Sequence, residues 1–572
     1  MNIFEGLNNE QRKAAEAGDG PVLIVAGPGT GKTKTLTARI AGLIHTGRAR
    51  PEQILALTFT KKAAEEMQKR VGVLAPGGEP RIATFHALCN ELLGSGASFV
   101  GEAERAQIIK SLPRPKALKD VGARELGLII SRAKNSPQIE DPDIAKLVRA
   151  YNKALASQNL RDFDDLLLGA YELLKENEEA REIAQKRYRY VLVDEFQDTN
   201  HLQYAILKML MGHDNIFVIG DPNQSIYGFR GAGSGIFDEF KTDFPDHTEI
   251  TLTINYRSVP QIVQLSNALF RDAPGLTPHS EDSGLARAVQ VLNEYGEAEW
   301  VLKEIQRGIG GADLLGAVSD DVRTQHRRLS DFAVLYRSRP AAVVLQKMLA
   351  DSGLPYQVVG DGSPYDQPHI QAIIALLRAG IRHEPIKLEG YGSAEHRLLE
   401  EELAKAKAAV PSVLVEKIIQ ILDIAPSSDL QQFAGTVTRF KEVASVFHYF
   451  DEIAERGFYD AAADAITLLT IHASKGLEFP YVFLIGAEEG VLPSVRGDDV
   501  EEKRLFYVAA TRARERLEIT HARNRGGQKA QESRFLQDLP PDVLQRHVDP
   551  DIENQIRRIA KRVAKNSQTS LF

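Results

Sequence analysis

The chain has 572 residues, 43% of them hydrophobic and 26% charged, which is typical of a soluble globular protein too long for a single core. Its one cysteine excludes a disulfide framework, a cysteine-bound zinc site and a four-cysteine iron–sulfur cluster. The net charge of −8 neither indicates nor excludes a nucleic-acid partner, because a basic groove can lie on an acidic body.

The first predicted element is a short N-terminal helix, with Asn8 as its cap and Gln11 at its third position. Upstream of a phosphate-binding loop, the Gln11 amide can instead read the adenine edge, because it donates and accepts at once. Neither a secretory signal nor an apolar run approaching the ~20 residues of a membrane span is present. We therefore expect a cytoplasmic protein.

A phosphate-binding loop is the strongest motif of the chain. An apolar strand over 22–25 leads into a Gly-rich loop and then into a helical pattern over 36–44. In this order of elements, backbone N–H groups and the helix N-terminus face phosphate oxygens, so an ordinary Gly-rich turn is disfavoured. Lys32 is expected to reach the β- and γ-phosphates, and the Thr33 hydroxyl to bind Mg²⁺. The predicted nucleotide-binding residues are Ala26, Gly27, Pro28, Gly29, Thr30, Gly31, Lys32 and Thr33.

Aromatic and polar residues end the next two predicted elements, at 54–58 and 83–86. At the carboxyl edge of a parallel sheet, Phe59 and His86 suit a surface that stacks single-stranded bases, although Phe59 suits a core position equally well. The segment 91–160 is helical and charged with no strand signal, which predicts an inserted helical domain. The carboxylates at 162–165 are interpreted as helix-start charges.

An acidic pair, Asp194 and Glu195, ends the apolar strand predicted over 190–193. In a chain with a phosphate-binding loop, the first carboxylate suits Mg²⁺ and the second suits activation of the attacking water. The alternative is a solvated acidic loop. The next strand, 216–219, leads to polar Gln224, which is followed by two aromatic residues that suit contact with bases.

The second half of the chain begins near 252–258 and repeats the alternation of strands and helices. The segment 373–464 is mostly helical and predicts a second insertion. Helical spacing over 502–513 brings Arg512 near a helix end, where an Arg is commonly a solvated charge or a dipole partner. If the second half faces the first across the nucleotide, Arg512 would contact phosphate. Further strands are predicted over 332–337, 356–360 and 481–486.

Taken together, these segments resemble the UvrD/Rep/PcrA group of superfamily 1 DNA helicases, from Gln11 to about Leu536. The specific motifs are Asp-Glu-Phe-Gln-Asp-Thr at 194–199, Gly-Asp-Pro-Asn-Gln-Ser-Ile-Tyr at 220–227, Asn-Tyr-Arg-Ser at 255–258 and Tyr-Val-Ala-Ala-Thr-Arg-Ala at 507–513. The resemblance implies an α/β fold of two RecA-like P-loop NTPase domains, each with an inserted helical subdomain. It assigns 1–90 and 161–254 to the first domain, 91–160 to its insertion, 255–372 and 465–545 to the second domain, 373–464 to a reduced insertion and 546–572 to a basic tail.

The resemblance also implies roles for single residues, with ATP as substrate and Mg²⁺ as cofactor. The adenine would be held by Gln11, Lys34 and Tyr256, and the phosphates and Mg²⁺ by Lys32, Thr33 and Asp194. Glu195 would be the catalytic base, Gln224 the γ-phosphate sensor, Arg257 and Arg512 the arginine fingers, and Glu478 a contact to the ribose or the coupling network. Single-stranded DNA would run over Phe59, His86, Phe163, Tyr227, Phe229 and His472.

The implied function is that of an ATP-driven 3′–5′ single-stranded DNA translocase and helicase in repair, recombination or replication restart. The alternatives are an ATPase that strips proteins from single-stranded DNA, and a clamp-associated adaptor. Three departures from the family pattern stand out. Lys34 replaces a common Arg, Phe229 replaces a common Trp, and the second insertion is short and lacks an Arg-Gly-Ile-Gly element. Because the second insertion is short, a monomer is expected to separate DNA strands poorly by itself. Translocation along single-stranded DNA is still expected.

The C-terminus carries a basic run and ends with Gln568, Leu571 and Phe572 in a Gln-x-x-Leu-Phe pattern. A disordered, solvated terminus is one interpretation. The pattern also resembles the peptide by which bacterial proteins bind the replication sliding clamp, with Leu571 and Phe572 filling an apolar pocket. The expected location is then the nucleoid.

Overall fold

The structure is a computed structural model. It describes residues 3–94, 98–228, 231, 233, 235–310, 327–360, 365, 367–382, 393–455, 459–495 and 497–552. Phe229 and the C-terminal Gln-x-x-Leu-Phe pattern lie outside these residues. The contacts divide the chain into two compact units, Met1–Gly284 with Gly497–Thr511, and Leu285–Arg496 with Arg512–Phe572. No helix in the described part of the chain is long and apolar enough to cross a membrane.

A six-stranded parallel sheet forms the centre of the first unit, in the order β3-β2-β6-β7-β1-β8. The predicted strands over 54–58, 190–193 and 216–219 are all members of it and are confirmed. Their continuous apolar runs are typical of strands that are covered on both faces. The strands of this unit are β1 (Val22–Ala26), β2 (Ile54–Thr58), β3 (Arg81–Thr84), β4 (Ser98–Phe99), β5 (Leu160–Arg161), β6 (Tyr190–Val193), β7 (Ile216–Gly220), β8 (Thr248–Leu252), β9 (Ile254–Asn255) and β10 (Thr277–Pro278).

Helices cover both faces of this sheet. Along β2, Leu55 and Leu57 belong to one apolar cluster while Ile54 and Ala56 belong to another, as the two-residue period of a strand requires. The helices between the strands are α1 (Asn9–Ala15), α2 (Lys32–His45), α3 (Lys61–Leu74), α4 (Phe85–Leu93), α5 (Glu102–Ser111), α6 (Ala123–Lys134), α7 (Pro142–Ser157), α8 (Phe163–Glu176), α9 (Glu178–Arg187), α10 (His201–Leu210), α11 (Gly235–Asp243) and α12 (Pro260–Leu269).

Two local expectations in this unit are wrong. The segment 91–160 is not free of strands, because β4 pairs in parallel with β5, with Phe99 opposite Arg161. A ladder of two residues is too short to produce a periodic sequence pattern. The element predicted to run to His86 ends as a strand at Thr84, whose hydroxyl caps α4, so His86 lies in the first turn of a helix.

The second unit contains a seven-stranded parallel sheet in the order β13-β14-β12-β15-β16-β11-β19, and the α/β fold class is confirmed. Its strands are β11 (Leu285–Val291), β12 (Phe332–Tyr336), β13 (Tyr356–Val359), β14 (Ile466–Thr470), β15 (Phe479–Ile485), β16 (Ala513–Ala522) and β19 (Gln545–Val548). The strands β17 (Asn524–Arg525) and β18 (Gln528–Lys529) form a separate antiparallel pair. The helices of the second half are α13 (Glu294–Gly308), α14 (Val343–Asp351), α15 (Pro368–Arg382), α16 (Ser393–Leu403), α17 (Pro411–Ile421), α18 (Ser428–Val437), α19 (Val443–Glu455), α20 (Asp499–Ala510) and α21 (Arg534–Gln537).

Two helical predictions for the second half are confirmed. Helices α15 to α19 share an apolar core of their own, and the described residues of 373–464 contain no strand. The helix predicted over 502–513 is α20, in which Leu505, Val508 and Ala509 are buried. It stops at Ala510, and its contacts place it in the first unit.

Candidate functional site

Three neighbouring strands of the first sheet, β6, β7 and β1, bring the predicted nucleotide-binding groups to one edge. Because the strands are parallel, their carboxyl ends lie side by side. The acidic pair Asp194 and Glu195 follows β6, Gln224 lies shortly after β7, and the Gly-rich loop 27–31 follows β1. These groups therefore share one edge of the sheet although they lie far apart in sequence.

Two glycines of the loop are required by its conformation. Gly29 and Gly31 have φ angles of +70° and +83°, a region that other residues rarely adopt. A Cβ atom at Gly29 would lie 2.6 Å from the Cβ of Arg257, and one at Gly31 would lie 2.6 Å from Nε2 of Gln11. The loop is therefore a backbone cradle in close contact with its neighbours, and Gly31 leads directly into the N-terminus of α2.

The lysines of this motif have different surroundings. The Lys32 Nζ donates to the carbonyls of Ala26, at 3.2 Å, and Gly27, at 3.3 Å, so the ammonium group lies over the loop. The exposed Lys34 donates to the carbonyl of Gly6 at 2.6 Å, which directs it toward the N-terminal segment. Thr33, between them, is half-buried in the first turn of α2.

Gln11 is part of the predicted helix cap and also touches the loop. Its backbone N–H donates to Asn8 Oδ1 at 2.8 Å, and its Oε1 accepts from the Asn8 backbone N–H at 3.1 Å, which completes a capping box. Its Nε2 donates to the carbonyl of Thr30 at 2.8 Å. Gln11 is 1% exposed, so its position is set by both interactions.

Asn255 holds the loop from the other side, and sequence reasoning gave it no role. Its buried Nδ2 donates to the carbonyl of Pro28 at 2.8 Å, while its Oδ1 accepts from the backbone N–H groups of Arg257, at 2.9 Å, and Ser258, at 2.8 Å. The N–H of Tyr256 donates to the carbonyl of Gly29 at 2.9 Å. No local pattern could have indicated this role, because 227 residues separate Asn255 from Pro28.

Tyr256 and Arg257 lie beside the loop. The Tyr256 ring is 42% exposed, its hydroxyl accepts from Asn8 Nδ2 at 2.9 Å, and one side contacts the ring of His279, with centroids 4.6 Å apart. His279 was not predicted. A guanidinium nitrogen of Arg257 donates to the carbonyl of Thr511 at 3.2 Å, directly before the predicted second arginine finger.

The acidic pair is strained and electrostatically crowded. Glu195 has φ +50° and ψ +46°, a left-handed conformation that costs a non-glycine residue on the order of 1–3 kcal/mol and is commonly retained at functional sites. Its N–H donates to Asp194 Oδ1 at 3.0 Å. Burial, with Glu195 alongside, raises the pKa of Asp194 to about 7, and Lys32 only partly offsets this.

A second residue without a predicted role, Gln197, joins the two neighbouring loops. Its buried amide nitrogen donates to the Glu195 carboxylate, and its Oε1 accepts from the N–H of Asp221 at 2.9 Å. Gln224 in turn donates to Asp221 Oδ2 at 2.7 Å. The predicted base and the predicted γ-phosphate sensor are therefore connected through two intervening side chains.

The donor set fits a magnesium ion that also binds the nucleotide. The Thr33 hydroxyl and the Asp194 carboxylate offer the oxygen ligands that this hard cation prefers. Among the described residues, no group of three or more His, Cys, Asp and Glu side chains could hold a metal ion by itself. Phosphate oxygens would complete the coordination, as is usual for Mg²⁺ at nucleotide sites.

Phe59 and His86 follow β2 and β3 at the same sheet edge, whereas Phe99 ends β4 and Phe163 begins α8. Phe59 is 36% exposed and stacks on Tyr227, with centroids 5.1 Å apart and planes at 17°, so it is a surface residue. Phe163 is 62% exposed and stacks on Phe99, at 4.8 Å and 13°, while His86 meets its edge at 6.2 Å. We call Phe99, Phe163 and His86 the insertion cluster, because Phe99 lies in the predicted insertion 91–160 and His86 and Phe163 flank its two ends. Phe99 was not predicted, because β4 was not.

The remaining predicted residues belong to the second unit. Arg512 is buried and donates to the carbonyl of Leu477 at 3.1 Å. Glu478, the next residue, accepts from Arg514. His472 is half-buried in a short 3-10 turn after β14.

Comparison with known families accounts for nearly the whole chain. The model of the UvrD/REP helicase N-terminal domain matches residues 7–126 and 125–245, and that of the UvrD-like helicase C-terminal domain matches 250–424 and 428–524. The chain belongs to the UvrD/REP helicase family. The predicted resemblance is thereby confirmed.

Curated relatives of this UvrD/REP family member agree with the family models. The chain is similar to the ATP-dependent DNA helicase PcrA of Bacillus subtilis, at 30% identity over 95% of this chain and 87% of the relative. It is also similar to the ATP-dependent DNA helicase UvrD1 of Mycobacterium leprae, at 30% identity over 95% and 86%. The first alignment spans 656 positions, more than the 572 residues here, so the relative contains segments that this chain lacks.

The hydrogen bond from Asn255 to Pro28 generates a test of the loop. We expect Asn255→Asp to weaken nucleotide binding by about tenfold, because it removes the donor to Pro28 and sets a carboxylate against a carbonyl. The measurement is titration with a fluorescent ATP analogue. Asn293→Asp is the matched control, since Asn293 accepts from two backbone N–H groups at 3.1 and 3.0 Å in the same way but lies in the second unit. Equal affinity in the two variants would contradict the role of Asn255.

Proposed function

We propose that this UvrD/REP family member is an ATP-dependent DNA helicase that moves 3′ to 5′ along single-stranded DNA, with ATP hydrolysis at the edge of the first sheet driving the movement. The observation that carries the proposal is the arrangement of one edge. The Gly-rich loop, the acidic pair and Gln224 follow three adjacent strands, and Phe59 and His86, which contact the rings of Tyr227 and Phe163, follow the next two. Hydrolysis and base stacking then share a single rigid support.

In the proposed reaction, Lys32 neutralises the β- and γ-phosphates, and Glu195 orients the attacking water and accepts its proton. Gln224 detects the γ-phosphate and relays its loss through Asp221 to Gln197. Mg²⁺, held by Thr33 and Asp194 together with the nucleotide, supplies charge neutralisation at the phosphates. The hydrogen bond from Gln197 holds the Glu195 carboxylate in place for this role.

The other nucleotide contacts are proposed from the motifs. Tyr256 offers its exposed ring to the adenine beside His279. Lys34 and Gln11 complete the base site from the loop side. Arg257 and Arg512 are proposed as the arginine fingers that stabilise charge on the transferred phosphoryl group. Glu478 is proposed as a contact to the ribose or the coupling network.

The DNA path is proposed to run over the two aromatic groups of the first unit. Phe59 with Tyr227, and the insertion cluster, offer stacking faces that tolerate any base, which suits a motor that moves along arbitrary sequence. The proposed path continues over Phe229 and, in the second unit, His472. The direction of movement is proposed from family membership.

The domain organisation is proposed as the resemblance implies, with 1–90 and 161–254 as the first RecA-like domain and 255–372 and 465–545 as the second. The respective insertions are 91–160 and 373–464. Because the relatives contain segments that this chain lacks, we propose that strand separation depends on a partner while translocation does not. We also propose a role in repair, recombination or replication restart in the cytoplasmic nucleoid.

Hydrolysis coupled to DNA is the first expectation to test. We expect single-stranded DNA to raise the ATPase rate strongly, and Glu195→Gln to lower the stimulated rate by roughly 100- to 10,000-fold while nucleotide binding persists. Glu239→Gln is the control, because Glu239 makes only surface ion pairs on α11. A wild-type ATPase rate that does not change when single-stranded DNA is added would contradict the proposed motor. The protein would then be a nucleotide-binding module only.

Direction is tested with single strands that carry a fluorophore at either end. We expect a length-dependent arrival phase with the label at the 5′ end and none with the label at the 3′ end, because 3′–5′ movement delivers the protein to the 5′ end. A protein-stripping assay and a strand-displacement assay on the same DNA then separate translocation from unwinding. Arrival at the 3′ end would overturn the proposed polarity.

The C-terminal pattern is proposed to bind the bacterial sliding clamp. We expect the double variant Leu571→Ala and Phe572→Ala to lose about 100-fold in clamp affinity, because two buried apolar side chains are removed, and to keep its DNA-stimulated ATPase. Surface plasmon resonance against immobilised clamp measures this. Asn566→Ala in the same segment is the control, and equal affinities would refute the proposed contact.

A further inference from the structure

A buried chain of hydrogen bonds joins the acidic loop to the first insertion. Asn200 Nδ2 donates to Asn135 Oδ1 at 2.9 Å, and Asn135 Nδ2 donates both to Asp164 Oδ1, at 2.7 Å, and to the Ser131 carbonyl, at 2.9 Å. Both asparagines are buried, and 65 residues separate them. Because the oxygen of Asn135 meets a donor and its nitrogen meets two acceptors, only one orientation of this amide satisfies all three bonds.

On the side of the nucleotide site, this series of hydrogen bonds begins close to the proposed catalytic base, Glu195. The segment from Glu195 to Asn200 forms a tight turn, in which the N–H of Asp198 donates to the Glu195 carbonyl at 2.9 Å. Asn200 then caps α10 in a capping box with Gln203, with bonds of 2.8 and 3.0 Å. A short hydrogen-bonded turn therefore connects the Glu195 backbone to the start of α10, where Asn200 lies.

On the side of the proposed DNA path, the series of hydrogen bonds ends next to the insertion cluster. Asn135 and Lys134 are consecutive residues at the end of α6, and the buried Lys134 Nζ lies 2.7 Å from Asp162 Oδ1 and 2.6 Å from Asp165 Oδ1. These two carboxylates form the capping box of α8, whose first residue is Phe163. The end of α6 therefore holds the turn that carries the exposed ring.

The same turn positions the second ring of the cluster. Strand β5 ends directly before the cap of α8, and its partner β4 carries Phe99, which stacks on Phe163. The short ladder and the stacked rings thus move with the N-terminus of α8. A buried network of hydrogen bonds favours one arrangement of the elements that it joins.

We propose that Asn135 is a positioning residue that, through Asn200, fixes the insertion cluster relative to the acidic loop of the nucleotide site. Its amide is the direct link between a side chain of the turn after Glu195 and a side chain of the turn that carries Phe163. The inference rests on the proposed function, in which the insertion cluster binds single-stranded DNA. It adds that the first insertion takes part in coupling hydrolysis to DNA binding.

The test uses the full-length protein and the variant Asn135→Asp. This change keeps the size and the acceptor for Asn200, but it sets a carboxylate against Asp164. We expect the DNA concentration for half-maximal ATPase stimulation to rise about tenfold, and the ATP consumed per nucleotide moved to rise, while the DNA-free ATPase rate stays unchanged. Asn177→Asp is the matched control, because Asn177 caps α9 by accepting from the N–H of Ala180 at 3.0 Å, a role that Asp fills equally well.

A second variant approaches the link from its other end. Asn200→Asp keeps the cap of α10 but turns the donor that faces Asn135 into an acceptor. We expect it to reproduce the effect of Asn135→Asp, and to add no further loss when Asn135→Ala is already present, because both changes break the same bond.

The outcomes separate the alternatives. If Asn135→Asp behaves like Asn177→Asp, or lowers the melting temperature without changing the ATP consumed per nucleotide, Asn135 is only a structural residue and the inference is overturned. If the double variant Asn135→Ala with Asn200→Asp loses more DNA stimulation of its ATPase than either single variant, the inference is also overturned. If DNA does not stimulate the ATPase of the wild-type protein, the proposed function on which the inference rests is itself contradicted.

Discussion

The parallel pairing of β1, β7 and β6 is the constraint on which the site depends. Each of these strands is apolar along most of its length and covered on both faces, so the polar groups that follow them can lie only at the carboxyl edge. Along this edge, β3 and β2 lead to aromatic side chains, whereas β6, β7 and β1 lead to the groups that we propose to bind the nucleotide. Within this unit, the two kinds of site are neighbours on one sheet.

Three buried side-chain amides fasten the loops that leave this edge. Asn255 joins the segment after β8 to the Gly-rich loop, Gln197 joins the loops after β6 and β7, and Asn135 joins the acidic loop to the first insertion. A neutral amide donates and accepts at once, so it can bridge two backbones at a smaller desolvation cost than an ion pair. In the insertion, the buried Lys134 forms ion pairs with two carboxylates.

The parts of the fold that could be predicted from the sequence are those whose signal is local. The apolar runs of β1, β2, β6 and β7, the loop that ends in Lys32 and the acidic pair after β6 are each encoded within a few consecutive residues. Asn255 and Asn135 could not be found in this way, because their partners lie 227 and 65 residues away. Phe99 was missed because a two-residue strand has no period, and Phe59 stayed ambiguous until its partner Tyr227 was known.

The acidic pair connects this architecture to ligand binding. The first unit holds Glu195 in a left-handed conformation, and burial next to this glutamate raises the pKa of Asp194 to about 7. Both features are unfavourable, and the bonds from Asp198 and Gln197 hold them in place. In the proposed function, a nucleotide bound with Mg²⁺ would offset the negative charge of this pair and contact the same turn. Because that turn continues to Asn200 and is joined through Asn135 to the start of α8, the proposed nucleotide contact is linked by hydrogen bonds to the turn that carries Phe163.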